Sequence, residues 1–163
     1  MTTRNAASFE VALEDAIRPG YRLACGMLHD PPAAEDVVLD AAIKAWRKRH
    51  QLREGSPLLP WFLAIVANEC RNHHRRRWAS VLKQASVAVD IGMDDLDTGV
   101  DLRRELMRLR SEDRLVVVLH FHLDMSLEQI ATVIGRSPGA VRGRLYRAIR
   151  RLRIQMSPQK VYR

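Results

Sequence analysis

The sequence predicts an all-α protein of two helical domains joined by a flexible linker, the second of them containing a helix-turn-helix. Three observations carry this. Apolar residues recur at helical spacing along most of the chain. The periodicity fails once, between residues 79 and 99, where small residues give way to Asp90, Asp94, Asp95 and Asp97. Near the C-terminal end, residues 126–153 carry the caps and turn of two short consecutive helices. The 163 residues suffice for one compact domain or two small ones, and 47% hydrophobic content supports real cores. The expected division is residues 1–79, a linker at 80–100, a second domain at 101–156 and a loose tail at 157–163.

Phe9, Leu13, Ala16 and Ile17 predict a first helix, interrupted by Pro19-Gly20. Tyr21, Leu23, Ala24, Met27 and Leu28 continue on a second helical segment, and His29-Asp30-Pro31-Pro32 reads as a turn. The next helix is expected over residues 33–49. Ala34, Val37, Val38, Ala41 and Ala45 form its core side, while Leu39 and Ile43 fall among Asp36, Asp40 and Arg47 on the other. Apolar residues set among charges suit a partner surface. A second packing contact within the same domain explains them equally well.

Residues 49–57 read as an exposed basic loop that includes Arg53, Gly55 and Ser56. A long helix follows over residues 58–78. Its first half (Trp61, Phe62, Leu63, Ile65, Val66) is apolar nearly all round and should be buried, whereas its second half ends in His73-His74-Arg75-Arg76-Arg77. Asn68, Asn72, Arg75 and Arg76 share one stripe of that helix, and such side chains can hydrogen-bond base edges and phosphates. The plainer reading is a solvated helix end, where cations suit the dipole. Beyond the linker, residues 101–109 resume as helix. Ser111 is placed as the N-cap of the next one, with Glu112 and Asp113 in its first turn and Leu115, Val116, Val118, Leu119 and Leu123 as its core. The run Val116-Val117-Val118 also allows a strand, but the neighbouring helical signals favour helix.

Ser126 and Gln129 form a capping box ahead of Leu127, Ile130, Ala131 and Ile134, and Gly135 can end that helix in the left-handed conformation. Ser137 caps the following helix with Pro138 at its first position. Val141, Leu145, Ala148, Ile149 and Leu152 share its inner side; Gly139, Arg142, Gly143, Tyr146, Arg147 and Arg150 lie opposite, with no acidic residue between 137 and 153. A helix with a cationic outer face and small residues near its start suits a DNA major groove. The alternative is a basic helix wetted by solvent in an ordinary bundle.

A net charge of +8 favours a polyanionic partner, nucleic acid ahead of a membrane surface. No apolar stretch reaches membrane-spanning length, so no membrane insertion is expected. The start of the chain lacks a signal peptide's apolar core. Two cysteines, Cys25 and Cys70, are too few for a disulfide framework, which points to reduced thiols and a cytoplasmic location. Cys70, His73 and His74 lack the second ligand pair a metal site needs, and His120 and His122 sit in an apolar run. No phosphate loop, nucleophile elbow or paired buried carboxylates appear. Neither an enzyme, a cofactor nor a metal is therefore expected.

Together these residues resemble the bacterial extracytoplasmic-function sigma factors, the two-domain members of the sigma-70 family. The segment Ala34-Glu35-Asp36-Val37-Val38-Leu39-Asp40-Ala41-Ala42-Ile43-Lys44-Ala45-Trp46 is similar to the conserved helix of that family's first domain. Pro60-Trp61-Phe62-Leu63-Ala64-Ile65-Val66-Ala67-Asn68, with Arg75-Arg76-Arg77 beyond it, is similar to the next helix, and residues 127–152 to the C-terminal helix-turn-helix. Leu39 and Asn72 stand where the family often carries Gln and Asp, and Leu58-Leu59-Pro60 replaces a more polar run.

The resemblance implies a promoter-recognition factor that binds core RNA polymerase and promoter DNA, with an anti-sigma protein as a further partner it allows. It implies that Asp36, Leu39, Asp40, Ile43 and Arg47 dock on the polymerase. Arg53, Ser56, Trp61, Asn68, Asn72, Arg75 and Arg76 would hold the −10 element as it opens. Ser137, Arg142, Gly143, Arg144, Tyr146 and Arg147 would read the −35 element as duplex. The competing readings are a stand-alone helix-turn-helix regulator and a sigma-like partner-switching protein that binds an anti-sigma factor without promoter DNA. A nucleic-acid enzyme built on Cys70, His73 and His74 ranks last.

Overall fold

A computed structural model describes residues 6–83 and 98–156, and every regular element within them is helical. Seven α-helices follow in chain order: α1 (Ala6–Leu28), α2 (Pro31–Arg47), α3 (Leu58–Lys83), α4 (Thr98–Arg108), α5 (Ser111–Val117), α6 (Leu127–Ile134) and α7 (Pro138–Met156). A 3-10 turn at Arg49–Gln51 follows α2, and a π-helical turn at Val118–His122 follows α5.

Helices α1, α2 and α3 form the first lobe around Phe9, Leu23, Val37, Val38, Phe62, Leu63 and Val66. The inner side of α2 is largely alanine (Ala33, Ala34, Ala41, Ala45), which lets its neighbours approach closely. Pro19 does not break α1, contrary to the sequence expectation; it sits inside one continuous helix. A mid-helix proline costs roughly 3 kcal/mol in isolation. Here Gly20 meets the Phe62 ring so closely that an added Cβ would lie 2.8 Å from Cε1, and that packing holds the turn in place. The Asp30-Pro31-Pro32 stretch also does more than turn the chain. Asp30 caps α2 by accepting the Ala33 amide at 3.2 Å, and both prolines occupy the first turn, where no N–H is missed.

Helices α4 to α7 form the second lobe over Leu115, Val116, Leu119, Ile130, Val141 and Ala148. Ser111 is not the N-cap of α5. Arg110 takes that position without a side-chain bond, and Ser111 opens the helix itself. The β-branched run stays helical and widens into the π-helical turn, where the Leu123 amide reaches back to the Val118 carbonyl at 3.2 Å. The expected linker at 80–100 is helical at both ends, since 80–83 belong to α3 and 98–100 to α4. The rest of that linker, and the tail at 157–163, lie outside the described residues.

The lobes pack on each other, α3 against α6 and α1 against α5 and the π-helical turn. Arg114 holds the junction. Only 5% exposed, it donates to the carbonyls of Leu106 (2.9 Å), Met107 (2.9 Å) and Leu109 (3.0 Å) at the end of α4, and across the junction to Met27 near the end of α1 (2.8 Å). Helix C-terminal carbonyls carry partial negative charge, so this cation is met by dipoles. Burial pulls its pKa below the usual arginine value. Arg71 of α3 pairs with Glu112 of α5, and Arg22 of α1 donates to the His122 carbonyl. A Cβ at Gly26 would come within 2.6 Å of Val118, so the helices meet at van der Waals distance there too.

Candidate nucleic-acid interface

The helix-turn-helix is built by local chemistry. Ser126 Oγ accepts the Gln129 amide at 3.2 Å while Gln129 Oε1 accepts the Ser126 amide at 2.8 Å, closing the capping box. Gly135 ends α6 at φ +65°, in the left-handed region. Ser137 Oγ then accepts the Ala140 amide at 3.2 Å and starts α7 with Pro138. Val141, Leu145, Ala148 and Leu152 are buried, which fixes the rotation of α7 and turns Arg142, Tyr146 and Arg147 outward. Tyr146 is 70% exposed although it is a large aromatic.

Neither glycine on that side is required by the fold. A Cβ at Gly139 would meet nothing within 4 Å, and one at Gly143 only the Arg147 guanidinium at 3.4 Å. The bare backbone is therefore open to a molecule from outside. Arg144, placed by sequence among the reading residues, is half-buried and paired with Asp113 of α5 at 3.2 Å. Ser137 spends its hydroxyl on the cap.

A second basic face lies on α3. Asn68, Arg75 and Arg76 are exposed and Asn72 half-buried along one stripe, with Trp61 two turns earlier on the same side. Trp61 is itself half-buried, edge-on to Phe9 at 6.4 Å, and Phe9 in turn lies 5.9 Å from Trp46. Arg53 and Ser56 sit in the loop before α3, where Gly55 turns the chain at φ +78°. Beneath the stripe lies a residue the sequence reading passed over. Glu69 is 2% exposed, its Oε2 is 2.7 Å from Lys44 Nζ of α2 and 4.0 Å from Arg76 Nη2, and its Oε1 accepts from Asn72 Nδ2 at 3.5 Å. The available signal was its isolation: between residues 55 and 89 it is the lone acid.

The third surface is the outer side of α2. Asp36, Leu39, Asp40, Ile43 and Arg47 are all exposed along it, with Leu39 62% and Ile43 50% accessible. Among the described residues, no second packing contact covers these two apolar side chains. Cys70, by contrast, is a core residue whose thiol burial pushes up to about 12. No three of His, Cys, Asp and Glu converge as a metal set among the described residues.

Comparison with known proteins agrees with this arrangement. The family model for sigma-70 region 2 matches residues 14–80, and that for sigma-70 region 4 matches residues 100–152. The chain is 27% identical to the RNA polymerase sigma factor SigV of Bacillus subtilis, over 85% of each protein. It is 27% identical to the ECF RNA polymerase sigma factor SigL of Mycobacterium tuberculosis, over 97% of each. Among solved structures, the sigma factor RpoE in complex with the anti-sigma factor NepR, from Bartonella quintana, superimposes with a TM-score of 0.72 at 26% identity, covering 93% of this chain and 98% of that one. CnrH in complex with the cytosolic domain of CnrY gives a TM-score of 0.69 at 26% identity, covering 93% and 88%.

Proposed function

This chain belongs to the sigma-70 family, in its extracytoplasmic-function group, and from that premise we infer how its surfaces divide the work of starting transcription. It is a sigma factor: it binds core RNA polymerase and directs it to promoter DNA. The reaction is the polymerase's, and this chain contributes recognition. Residues 1–79 serve as the region 2-like domain, 101–156 as the region 4-like domain, and 80–100 as their tether.

The α2 strip of Asp36, Leu39, Asp40, Ile43 and Arg47 docks on the polymerase, which covers the two bare apolar side chains. The α3 stripe of Asn68, Asn72, Arg75 and Arg76, with Trp61 and the Arg53–Ser56 loop, holds the −10 element as it opens. An extruded base needs polar groups for its edge and a surface to stack on. Helix α7 enters the −35 major groove, with Arg142, Tyr146 and Arg147 toward the bases and the Gly139–Gly143 backbone close to the DNA. Arg144 must first leave Asp113 to reach DNA, so its part in the free protein is to brace α7 on α5.

One observation carries this reading: two separate cationic faces, on α3 and α7, share a chain with an uncovered apolar strip on α2. A stand-alone repressor needs the α7 face alone. Tethering both DNA grips to one polymerase makes the second contact effectively intramolecular, so weak grips add up. One similar structure is a sigma factor in complex with an anti-sigma factor, which supports an anti-sigma protein as a further partner. The site of action is the cytoplasm, where the polymerase is; among the described residues no helix is long and apolar enough to cross a membrane. The test is pull-down of core polymerase followed by run-off transcription from promoters selected with the reconstituted holoenzyme. Association with specific starts is expected, and a chain that neither binds the polymerase nor gives it a start overturns the reading.

A further inference from the structure

Glu69 combines three properties that ordinary surface acids lack. It is almost fully buried, it is the lone acid between residues 55 and 89, and it faces polar groups from two helices. Lys44 reaches it from α2, one residue beyond Ile43 of the exposed strip, while Asn72 and Arg76 reach it from the α3 stripe. A carboxylate out of water is costly unless it is paired and hydrogen-bonded, so these partners are bound to it as much as it is to them.

The geometry points to Glu69 as a positioning residue that fixes which end of the Asn72 amide faces the opened strand. An ionised carboxylate only accepts hydrogen bonds, so the Asn72 end turned toward it is the NH₂ group. Rotating the amide would set two oxygens against each other. Asn72 therefore presents its Oδ1 outward, as an acceptor. An acceptor at that point favours a base whose edge offers an amino group, adenine N6, cytosine N4 or guanine N2, over thymine, the one base that has none. The same carboxylate draws Arg76 toward the stripe and, through Lys44, ties the base-holding face to the helix that carries the polymerase strip. This inference rests on the assignment of the α3 stripe to the −10 element.

The experiment is run-off transcription by reconstituted holoenzyme on a promoter library carrying each of the four bases at every opened −10 position, for wild type, Glu69→Gln, Glu69→Asp and Asn72→Ala. Wild type is expected to disfavour thymine against the three amino-bearing bases at one position. Glu69→Gln lets the amide turn either way and should flatten that preference by about fivefold or more, the low end of what one base-edge contact confers. Dependence on the −35 element should stay unchanged. Glu69→Asp keeps the charge and should keep the order of preference. A role confined to holding the lobe together would lower activity on all four bases alike. If Glu69→Gln retains full discrimination while Asn72→Ala loses it, the orienting role falls and the stripe assignment stands. If Asn72→Ala also leaves every preference intact, the stripe assignment itself fails. Should the Gln variant not fold, a switched or lost base order in Glu69→Asp overturns the proposal, and a retained order with Asn72→Ala flattened supports it.

Discussion

Replacing Arg114 by methionine keeps an unbranched apolar stem but removes every donor the side chain uses. Four carbonyl oxygens, those of Met27, Leu106, Met107 and Leu109, lose their partner at once. Bonds from a charged donor contribute about 1.5–3 kcal/mol each, net of exchange with water, so four fully independent ones would sum to about 6–12 kcal/mol. Bonds that share one guanidinium are not additive, and removing one partner of a buried ionic contact costs about 3–5 kcal/mol. The expected net destabilisation is about 3 kcal/mol, a large share of the ~5–15 kcal/mol typical of a whole domain. Urea unfolding followed by far-ultraviolet dichroism measures it, with scattering in buffer reporting whether the lobes separate. Arg114→Lys should recover part of the loss, since one ammonium supplies three donors but not the planar fork. A loss under about 1 kcal/mol with an unchanged radius of gyration would show that the arginine merely fills space, and the account of the junction would be wrong.

Other outcomes follow from the same contacts. Arg142→Ala and Arg147→Ala should each weaken −35 binding by ~1–3 kcal/mol in a gel-shift series, if the side chain reads a base. Leu39→Asp with Ile43→Asp should abolish co-purification with core polymerase while shifting stability by no more than about 0.5 kcal/mol per site, because both side chains already face solvent. Gly26→Ala should destabilise by about 1–3 kcal/mol less the ~1 kcal/mol alanine gains in a helix, and Val118→Ala should rescue it by clearing the 2.6 Å approach. Burial, with Arg114 nearby, holds His29 and His74 below the usual 6.5. The unfolded chain thus takes up their protons first. Their stabilisation is complete above 6.5 and is lost as pH falls through that value toward the lowered ones. His29→Asn tolerates the left-handed backbone at φ +49°, and it should make the urea midpoint fall less between about pH 7.5 and 5.5 than in wild type.

The most legible parts were those in which a few adjacent residues settle their own geometry. The capping box at Ser126, the left-handed Gly135 and the Ser137-Pro138 start are all set within four residues, so the helix-turn-helix was readable from sequence. The placement of Leu39 and Ile43 opposite an alanine seam was readable as well, because helical phase alone sets it, whereas their exposure was not, since a second packing contact fitted the same pattern. Features that depend on distant residues were not. Pro19 signals a break, and the Phe62 ring packed against Gly20 overrides it. Arg114 looks like one cation among many until Met27, 87 positions away in sequence, supplies a carbonyl. Glu69 was hidden because an acid on a helix is ordinarily assigned to solvent, and Arg144 because a basic helix does not reveal which of its cations Asp113 claims.

That the arginine at the lobe junction is balanced by peptide dipoles and not by an acid bears on how ionic strength acts on this protein. Mobile ions screen charges they can surround, over about 8–10 Å at physiological concentrations, and they have little access to a group sealed among carbonyls. The cationic faces of α3 and α7 are wet, and the affinity for DNA proposed for them should fall steeply as counterions compete for the phosphates. Rising potassium would thus loosen the hold on nucleic acid while the Arg114 contacts across the junction stay nearly constant, so one variable of the cell tunes one of these interactions and spares the other.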